Sequence, residues 1–359
     1  MALPAILPKP VTRRWVVLYV SVCLAVALLA ACGPTTRPSD LAATQTARAT
    51  VAVELPVATP VATVAGTPVV LPLIIQKTTL TPAPTPTTIV SNTPTQESLI
   101  RFAVIGDYGG GGKPEADVAA LVHSWQPDFI ITLGDNNYPD GAASTIDANI
   151  GQFYHAYIFP YQGSYGEGAD QNRFFPTLGN HDWNSSGAQP YLDYFTLPGN
   201  ERYYDFVWGP LHFFALDSDS REPDGVGSGS PQATWLRDNL ATSTAAWQIV
   251  YMHHPPYSSG LHGSVEWTRW SYREWGADVV LSGHDHTYER LLIDGFPYFV
   301  NGLGGGAIYQ FKKVLDGSQV RFNEDYGAML VEANSRQIIF KFITRQGVVV
   351  DTYTLEKSP

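Results

Sequence analysis

The sequence predicts an α/β fold in which two β-sheets pack face to face, as a β-sandwich flanked by helices. The first strand-like runs alternate with a helical pattern, as in a βαβ unit, whereas the last runs are strand-like only. Five of the strand-like runs end in a polar cluster. All of these features lie in residues 99–359, a stretch of 261 residues that is long enough to bury a core.

The spacing of apolar residues predicts the helices and strands one after another along the chain. Residues 99–105 and 128–133 are short apolar runs typical of strands, and residues 113–125 between them have apolar residues at helical spacing. Ser230 is the predicted N-cap of the helix that follows it. The other predicted elements are a helix over 146–159, a strand over 174–178, a hairpin over 203–208 and 211–216, a helix over 231–240, and strands over 248–252, 278–281, 298–300, 328–331, 338–343 and 348–354.

The first 98 residues predict an export signal and a tether. Lys9, Arg13 and Arg14 precede a 17-residue apolar run that ends in small residues, which is the pattern of an export signal. Residues 33–98 hold 10 Pro, 16 Thr and only six charges among 66 positions. Such a stretch cannot bury enough apolar surface to offset chain entropy, so residues 32–98 are predicted to be a disordered, Thr/Pro-rich tether.

The residues Leu29-Ala30-Ala31-Cys32 resemble the lipobox of bacterial lipoproteins. The resemblance implies that residues 1–31 are removed as a signal peptide and that Cys32 carries the lipid. The chain would then be exported and lipid-anchored on the outer face of the cytoplasmic membrane or on the cell surface, with membrane contact through Cys32. An uncleaved signal anchor is the alternative. Residues 12–14 also resemble a twin-arginine signal, for which an ordinary basic n-region is the alternative.

The predicted folded part is acidic and free of cysteine. Residues 99–359 carry 16 Lys and Arg against 30 Asp and Glu, a formal charge of −14. This balance argues against nucleic-acid binding, which depends on neutralising phosphate charge. Both cysteines, Cys23 and Cys32, precede this part, so a metal within it must be held by oxygen and nitrogen ligands.

Polar clusters at five strand ends supply such ligands. They are Gly106-Asp107, Gly134-Asp135-Asn136, Gly179-Asn180-His181-Asp182, His253-His254-Pro255 and Gly283-His284-Asp285-His286. Ligands bind beyond the carboxyl ends of strands in open α/β sheets, and this mixture of carboxylate, amide and imidazole suits Fe, Mn or Zn. Each cluster alone has an ordinary explanation, such as a turn, a surface pair or a helix N-cap. Five of them in this order indicate one site.

With these motifs the sequence resembles the calcineurin-like metallophosphoesterases, and within them the purple, tartrate-resistant acid phosphatases. The narrower resemblance rests on Tyr138, three residues after Asp135, on residues 287–290, and on His262, nine residues after His253. It implies the four-layer α/β/β/α metallophosphoesterase fold and hydrolysis of phosphate monoesters by a metal-bound hydroxide. The substrate would be a phosphorylated small molecule or protein, and the chain a monomer. A phosphodiesterase or nucleotidase with the same metal centre is one alternative, and a surface binding protein without turnover is another.

The resemblance also implies two metal ions and their ligands. One ion would bind Asp107, Asp135, Tyr138 and His286, and the other would bind Asp135, Asn180, His253 and His284. Asp135 would bridge, because the two oxygens of a carboxylate reach two cations ~3.5–4 Å apart. Fe(III) is expected beside Tyr138, and Fe, Zn or Mn at the second site.

Two further histidines are predicted to be catalytic. The resemblance implies that His181 and His262 contact phosphate oxygens and help to protonate the leaving alkoxide, a role suited to imidazolium at acid pH. For His262 the alternative is an ordinary histidine in a flexible loop. His254 is predicted to lie behind the ligands.

Overall fold

The computed structural model describes residues 99–357 and confirms the two-sheet α/β fold. Its strands are β1 Ile100–Ile105, β2 Phe129–Thr132, β3 Phe174–Pro176, β4 Tyr204–Trp208, β5 Leu211–Ala215, β6 Trp247–Met252, β7 Val279–Ser282, β8 Tyr288–Ile293, β9 Phe296–Asn301, β10 Ser318–Phe322, β11 Gly327–Ala333, β12 Gln337–Thr344 and β13 Val349–Glu356. One sheet has the strand order β13-β12-β11-β1-β2-β3, and the other has the order β10-β8-β9-β7-β6-β5-β4. Both sheets are mixed.

The α-helices are short. They are α1 Lys113–Ser124, α2 Gln152–Tyr154, α3 Gln189–Tyr194, α4 Pro231–Thr242 and α5 Tyr272–Trp275. The helix predicted over 146–159 is irregular, because a π-helical turn, α2 and a 3₁₀ turn follow one another over residues 147–157. Among residues 99–357, no helix has the length and hydropathy needed to cross a membrane.

Four elements were not predicted, and each lacks a clear periodic signal. Helices α3 and α5 have six and four residues, fewer than a helical period needs to become visible. Strand β8 carries Glu289 and Arg290 in its interior, and β10 is a five-residue edge strand. The predicted hairpin, by contrast, is present as β4 and β5.

The second sheet is buried on both faces. In β5, Phe213 joins the core between the two sheets, whereas its neighbour Phe214 joins a separate core beneath α4 and α5. Successive residues of a strand point to opposite faces, so the sheet must be covered on each side. Helix α1 covers the outer face of the first sheet with Val118 and Val122. The result is the predicted order of layers, helix, sheet, sheet and helix.

Two pairs of parallel strands determine where the polar clusters meet. Strands β1 and β2 are parallel neighbours in the first sheet, and β6 and β7 are parallel neighbours in the second. Their carboxyl ends lie at the same edge of the molecule. There His253 Nδ1 lies 2.8 Å from the Leu133 carbonyl oxygen, and this hydrogen bond connects the two sheets.

Candidate metal centre

Four of the predicted ligands follow directly from these strand ends. Asp107 and Asp135 come two and three residues after β1 and β2, and His253 and His284 come one and two residues after β6 and β7. Asp107, Asp135 and His284 have φ angles of 55°, 51° and 69°. Residues other than glycine seldom adopt this left-handed conformation, and those that do cluster at functional sites.

The glycines of the motifs leave room for neighbouring ligands. A Cβ at Gly134 would lie 2.7 Å from His253 Nδ1, and a Cβ at Gly283 would lie 2.5 Å from Asp107 Oδ2. Both distances are too short for any real side chain, so only glycine permits the backbone to approach these ligands.

The Tyr138 group, which is Asp107, Asp135, Tyr138 and His286, is brought together by the fold. The Tyr138 hydroxyl lies 3.0 Å from Asp135 Oδ2, 3.0 Å from His286 Nε2 and 3.4 Å from Asp107 Oδ1. His286 Nε2 is also 3.3 Å from Asp107 Oδ1. Four potential ligand atoms therefore converge from three separate motifs.

The His253 group, which is Asp135, Asn180, His253 and His284, forms a second cluster. His253 Nε2 lies 3.0 Å from Asn180 Oδ1, 3.1 Å from His284 Nδ1 and 3.4 Å from Asp135 Oδ2. This group draws its ligand atoms from both sheets and from the segment after β3.

A single oxygen of Asp135 faces both groups, rather than one oxygen facing each. Oδ2 is the atom near both the Tyr138 hydroxyl and His253 Nε2. The other oxygen, Oδ1, accepts a hydrogen bond from the His181 backbone N–H at 2.9 Å. The position of Asp135 between the groups agrees with a bridging role, but Oδ1 is held by the protein.

The imidazole rings are fixed by hydrogen bonds on the side away from the cluster. His253 Nδ1 donates to the Leu133 carbonyl, and His286 Nδ1 donates to the Ala307 carbonyl at 2.5 Å. A ring whose Nδ1–H is bound to a carbonyl presents the lone pair of Nε2, which is the usual arrangement of a metal-binding histidine.

The electrostatics of the cluster favour a bound cation. Burial and the carboxylates of Asp107 and Asp135 raise the pKa of Tyr138 well above its usual value. Burial acts to raise the pKa of Asp107 as well, but His286 and His253 outweigh it and lower that pKa. Burial and four neighbouring histidines lower the pKa of His284, which keeps its ring neutral. Burial acts to lower the pKa of His253 and His286, but the carboxylates of Asp107 and Asp135 outweigh it and raise both pKa values. A cation bound to these carboxylates would replace that positive charge.

The donor chemistry therefore fits two metal ions. Asp107, Asp135 and His286 offer ligand atoms within 4.8 Å of one another, and so do His253, His254 and His284. With Tyr138 and Asn180 the set contains carboxylate, phenol, amide and imidazole donors, which are ligands for Fe, Zn or Mn.

The two predicted catalytic histidines contact different ligands of the cluster. His181 packs edge-on against Tyr138 at 4.6 Å between ring centroids, and its Nδ1 donates to the Pro139 carbonyl. The exposed ring of His262 lies 4.4 Å from the ring of His284. Each therefore flanks one of the two groups.

Three neighbours of the cluster were missed or underestimated from sequence. Tyr309 stacks on His286 at 4.1 Å between ring centroids, and Arg221 Nη2 donates to the Asn180 carbonyl at 2.8 Å. Neither residue belongs to a motif, so no signal in the sequence marks it. His254 lies closer than predicted, with a ring nitrogen near those of His253 and His284, and Ser218 Oγ is 3.0 Å from its Nδ1.

Several known proteins have sequences similar to that of this chain. The chain is 26% identical to purple acid phosphatase 17 of Arabidopsis thaliana over 250 residues, which cover 59% of this chain and 70% of the plant protein. It is 25% identical to tartrate-resistant acid phosphatase type 5 of Rattus norvegicus over 310 residues, which cover 73% of this chain and 92% of the rat protein.

Solved structures show the same fold. Purple acid phosphatase from yellow lupin (Lupinus luteus) seeds superposes with a TM-score of 0.58 at 18% identity, covering 73% of this chain and 54% of the lupin chain. GAP50, the anchor in the inner membrane complex of Plasmodium, superposes with a TM-score of 0.56 at 20% identity, covering 73% of this chain and 90% of that protein. Residues 100–288, more than half of the chain, match the calcineurin-like phosphoesterase family. The chain therefore belongs to the calcineurin-like phosphoesterase family of phosphoric ester hydrolases.

Proposed function

We propose that this phosphoesterase is a purple acid phosphatase that hydrolyses phosphate monoesters. The observation that carries the proposal is the position of the Tyr138 hydroxyl, within 3.4 Å of Asp107, Asp135 and His286. The similarity to purple and tartrate-resistant acid phosphatases supports the same activity.

The Tyr138 group would hold Fe(III), and the His253 group would hold Fe, Zn or Mn. Two bound cations supply Lewis-acid chemistry, which polarises a phosphoryl oxygen and lowers the pKa of a bound water. Because Asp135 Oδ1 is held by the His181 backbone, Oδ2 keeps its place between the groups. The Arg221 guanidinium donates to the main-chain carbonyl of Asn180 and so helps to hold this ligand.

His181 and His262 would act on the phosphate and the leaving group. The Nδ1 of His181 is taken by the Pro139 carbonyl, so Nε2 is the atom left to contact a phosphate oxygen. The ring of His262 is exposed beside His284, a place from which it can protonate the departing alkoxide. The substrate would be a phosphorylated small molecule or protein.

The same proposal includes export and a lipid anchor. Residues 1–98 lie outside the described residues, and the proposal rests on their sequence, a basic n-region, an apolar run and the lipobox-like residues 29–32. Cys32 would hold the chain, as a monomer, on the outer face of the cytoplasmic membrane or on the cell surface. The segment over 32–98 would separate the phosphatase, residues 99–359, from the lipid.

Metal analysis and one substitution test the function. We expect two metal ions per chain with a visible absorption band, and turnover of an aryl phosphate at acid pH. Asp135→Asn replaces the bridging carboxylate with a neutral amide. We expect this substitution to lower kcat by at least about 100-fold. Wild-type-like turnover in Asp135→Asn would refute the assignment. Faster hydrolysis of a diester than of a monoester would indicate a phosphodiesterase instead of a phosphatase. A purified chain that binds no metal would indicate a binding protein.

A further inference from the structure

Asp285 lies between two of the proposed ligands, yet its side chain faces away from both groups. It is fully buried and separates His284 from His286 in the motif Gly283-His284-Asp285-His286. Its hydrogen bonds go instead to residues 258–263, which form the loop that carries His262 and which we call the His262 loop.

The carboxylate accepts three hydrogen bonds from this loop. Asp285 Oδ1 accepts from the His262 backbone N–H at 2.7 Å, and Oδ2 accepts from Ser258 Oγ at 2.5 Å and from the Gly263 N–H at 3.0 Å. A Cβ at Gly260 would lie 2.4 Å from Asp285 Cγ, so the main chain of the loop passes directly over the carboxylate.

A second buried carboxylate fastens the beginning of the same loop. Glu289 accepts hydrogen bonds from the Ser259 N–H at 2.7 Å and from Ser259 Oγ at 2.6 Å. Ser258, Ser259 and Gly260 are buried as a result, whereas His262 itself is exposed. Glu289 therefore holds the loop at Ser259, and Asp285 holds it at His262 and Gly263.

His262 depends on this anchoring, because its side chain is weakly held. Within residues 99–357, neither ring nitrogen of His262 makes a hydrogen bond to the protein, and its ring contacts are those with His284 and Tyr309. A general acid must lie within hydrogen-bond reach of the atom that it protonates, and a displacement of about 1 Å can cost about 100-fold in rate.

We propose that Asp285 is the positioning residue for His262, and that it sets the ring of His262 over the leaving-group oxygen through the backbone of the His262 loop. The inference rests on the proposed function, in which His262 protonates the leaving alkoxide. It assigns Asp285 a role in catalysis that acts through His262 and not through the metal ligands on either side of it.

The test compares leaving groups in the full-length chain loaded with metal. An alkyl phosphate needs protonation of its leaving oxygen, whereas 4-nitrophenyl phosphate needs little. We expect His262→Ala to lower kcat for the alkyl ester by about 100-fold, and Asp285→Asn by at least about tenfold. Each variant should lower kcat for the alkyl ester at least about tenfold more than kcat for the aryl ester, and Asp285→Asn should keep the metal content of the wild type.

A double-mutant cycle separates positioning from a general structural effect. Because Asp285 acts through His262, Asp285→Asn should cause no further loss in the His262→Ala background. Asp278→Asn is the matched control: Asp278 accepts the Gln248 N–H at 2.8 Å at the opposite end of β7, so this variant should keep the leaving-group dependence of the wild type.

Three results would overturn the inference: an additive loss in the double variant, an equal loss on both esters, or loss of metal from Asp285→Asn. Should Asp285→Asn fold poorly, Ser258→Ala removes one of the three hydrogen bonds and must show the same selective loss at a smaller size. An inactive wild-type chain would instead reject the proposed function itself.

Discussion

The protonation state of Tyr138 should depend on a bound cation. Burial and the charges of Asp107 and Asp135 raise the pKa of its phenol well above the usual value, so without a cation the hydroxyl stays protonated. A cation reverses this balance, because it is the largest charge in the site. Binding to the Tyr138 group should therefore release a proton, and metal affinity should rise with pH.

Tyr138→Phe should remove the colour and leave the fold intact. Phenylalanine fills the same volume but cannot supply an oxygen ligand, so the charge-transfer band between tyrosinate and Fe(III) should disappear from the visible spectrum. We expect iron content to fall and kcat to decrease by at least about tenfold. Tyr309→Phe is the control, because Tyr309 stacks on His286 but is not one of the proposed ligands. A Tyr138→Phe chain that keeps its iron and its visible band would contradict the assignment.

Local pattern reveals residues of this site where they closely follow a strand, whereas Tyr138 and His262 were assigned from the family resemblance. Asp107, Asp135, His253 and His284 each come within three residues of a strand end, so local pattern and the rule of carboxyl ends suffice to group them. Tyr309 and Arg221 come from loops, and their places depend on tertiary packing, which no local pattern records. Asp285 was visible inside a motif, but its contacts are with a loop more than 20 residues away.

Among the helices, α4 has the clearest start. The sequence places Ser230 at its N-cap with Pro231 next, and the structure confirms the cap: Ser230 Oγ accepts the Ala233 N–H at 3.1 Å. Helix α1 begins differently, after Gly112, with no side-chain cap. There Glu115 Oε2 accepts the Gly111 N–H at 2.6 Å, while Glu115 Oε1 is buried without a hydrogen-bond partner in the part of the chain that the structure describes.

Ser230→Ala should destabilise the protein without affecting its chemistry. Loss of the N-cap leaves the Ala233 N–H without its acceptor, which costs about 1 kcal/mol in the free energy of unfolding. A urea titration should show a lower midpoint with an unchanged slope, and kcat should equal that of the wild type. Ser230→Asp restores an acceptor and should recover the midpoint. Equal midpoints for wild type and Ser230→Ala would contradict the assigned cap.

The beginning of α1 should make stability depend on pH. Burial raises the pKa of Glu115 well above its usual value, so the folded chain keeps this proton to higher pH than the unfolded chain does. The free energy of unfolding must then fall as pH rises above the unfolded pKa, by up to about 1.4 kcal/mol per pH unit, until pH passes the folded pKa. Glu115→Gln does not titrate and should gain in thermal midpoint, relative to wild type, between pH 5 and pH 8.

Glu332→Gln provides a control, because the pKa of Glu332 is shifted in the opposite direction. The hydrogen bond from Lys341 lowers the pKa of Glu332, so its contribution to stability is complete above the unfolded pKa and is lost only as pH falls through the folded pKa. Between pH 5.5 and pH 8 the difference between Glu332→Gln and wild type should therefore stay constant. A constant difference for Glu115→Gln over the same interval would contradict the assigned burial effect.

The candidate metal centre and the two cysteines lie in different parts of the chain. Residues 99–359 carry a formal charge of −14 and no cysteine, and two of their carboxylates, Asp107 and Asp135, lie in the candidate metal centre. The net charge opposes an anionic substrate at long range, whereas two bound cations attract it at short range. Both thiols lie in the first 32 residues. Chemistry at Cys32 should therefore change where the chain resides and leave turnover unchanged.

Cys32→Ala should abolish lipid attachment and leave the activity unchanged. Under the proposed lipid anchor, Cys32 carries the lipid, so cells given a labelled fatty acid should yield labelled wild-type protein in the membrane fraction. Cys32→Ala should carry no label, and kcat of the purified variant should match that of the wild type, because residues 99–359 contain no cysteine. Cys23→Ala changes the other thiol, inside the apolar run, and should still be labelled. Equal labelling of Cys32→Ala would contradict the lipid anchor, and an unlabelled wild-type chain retained in the membrane at its full length would identify an uncleaved signal anchor instead.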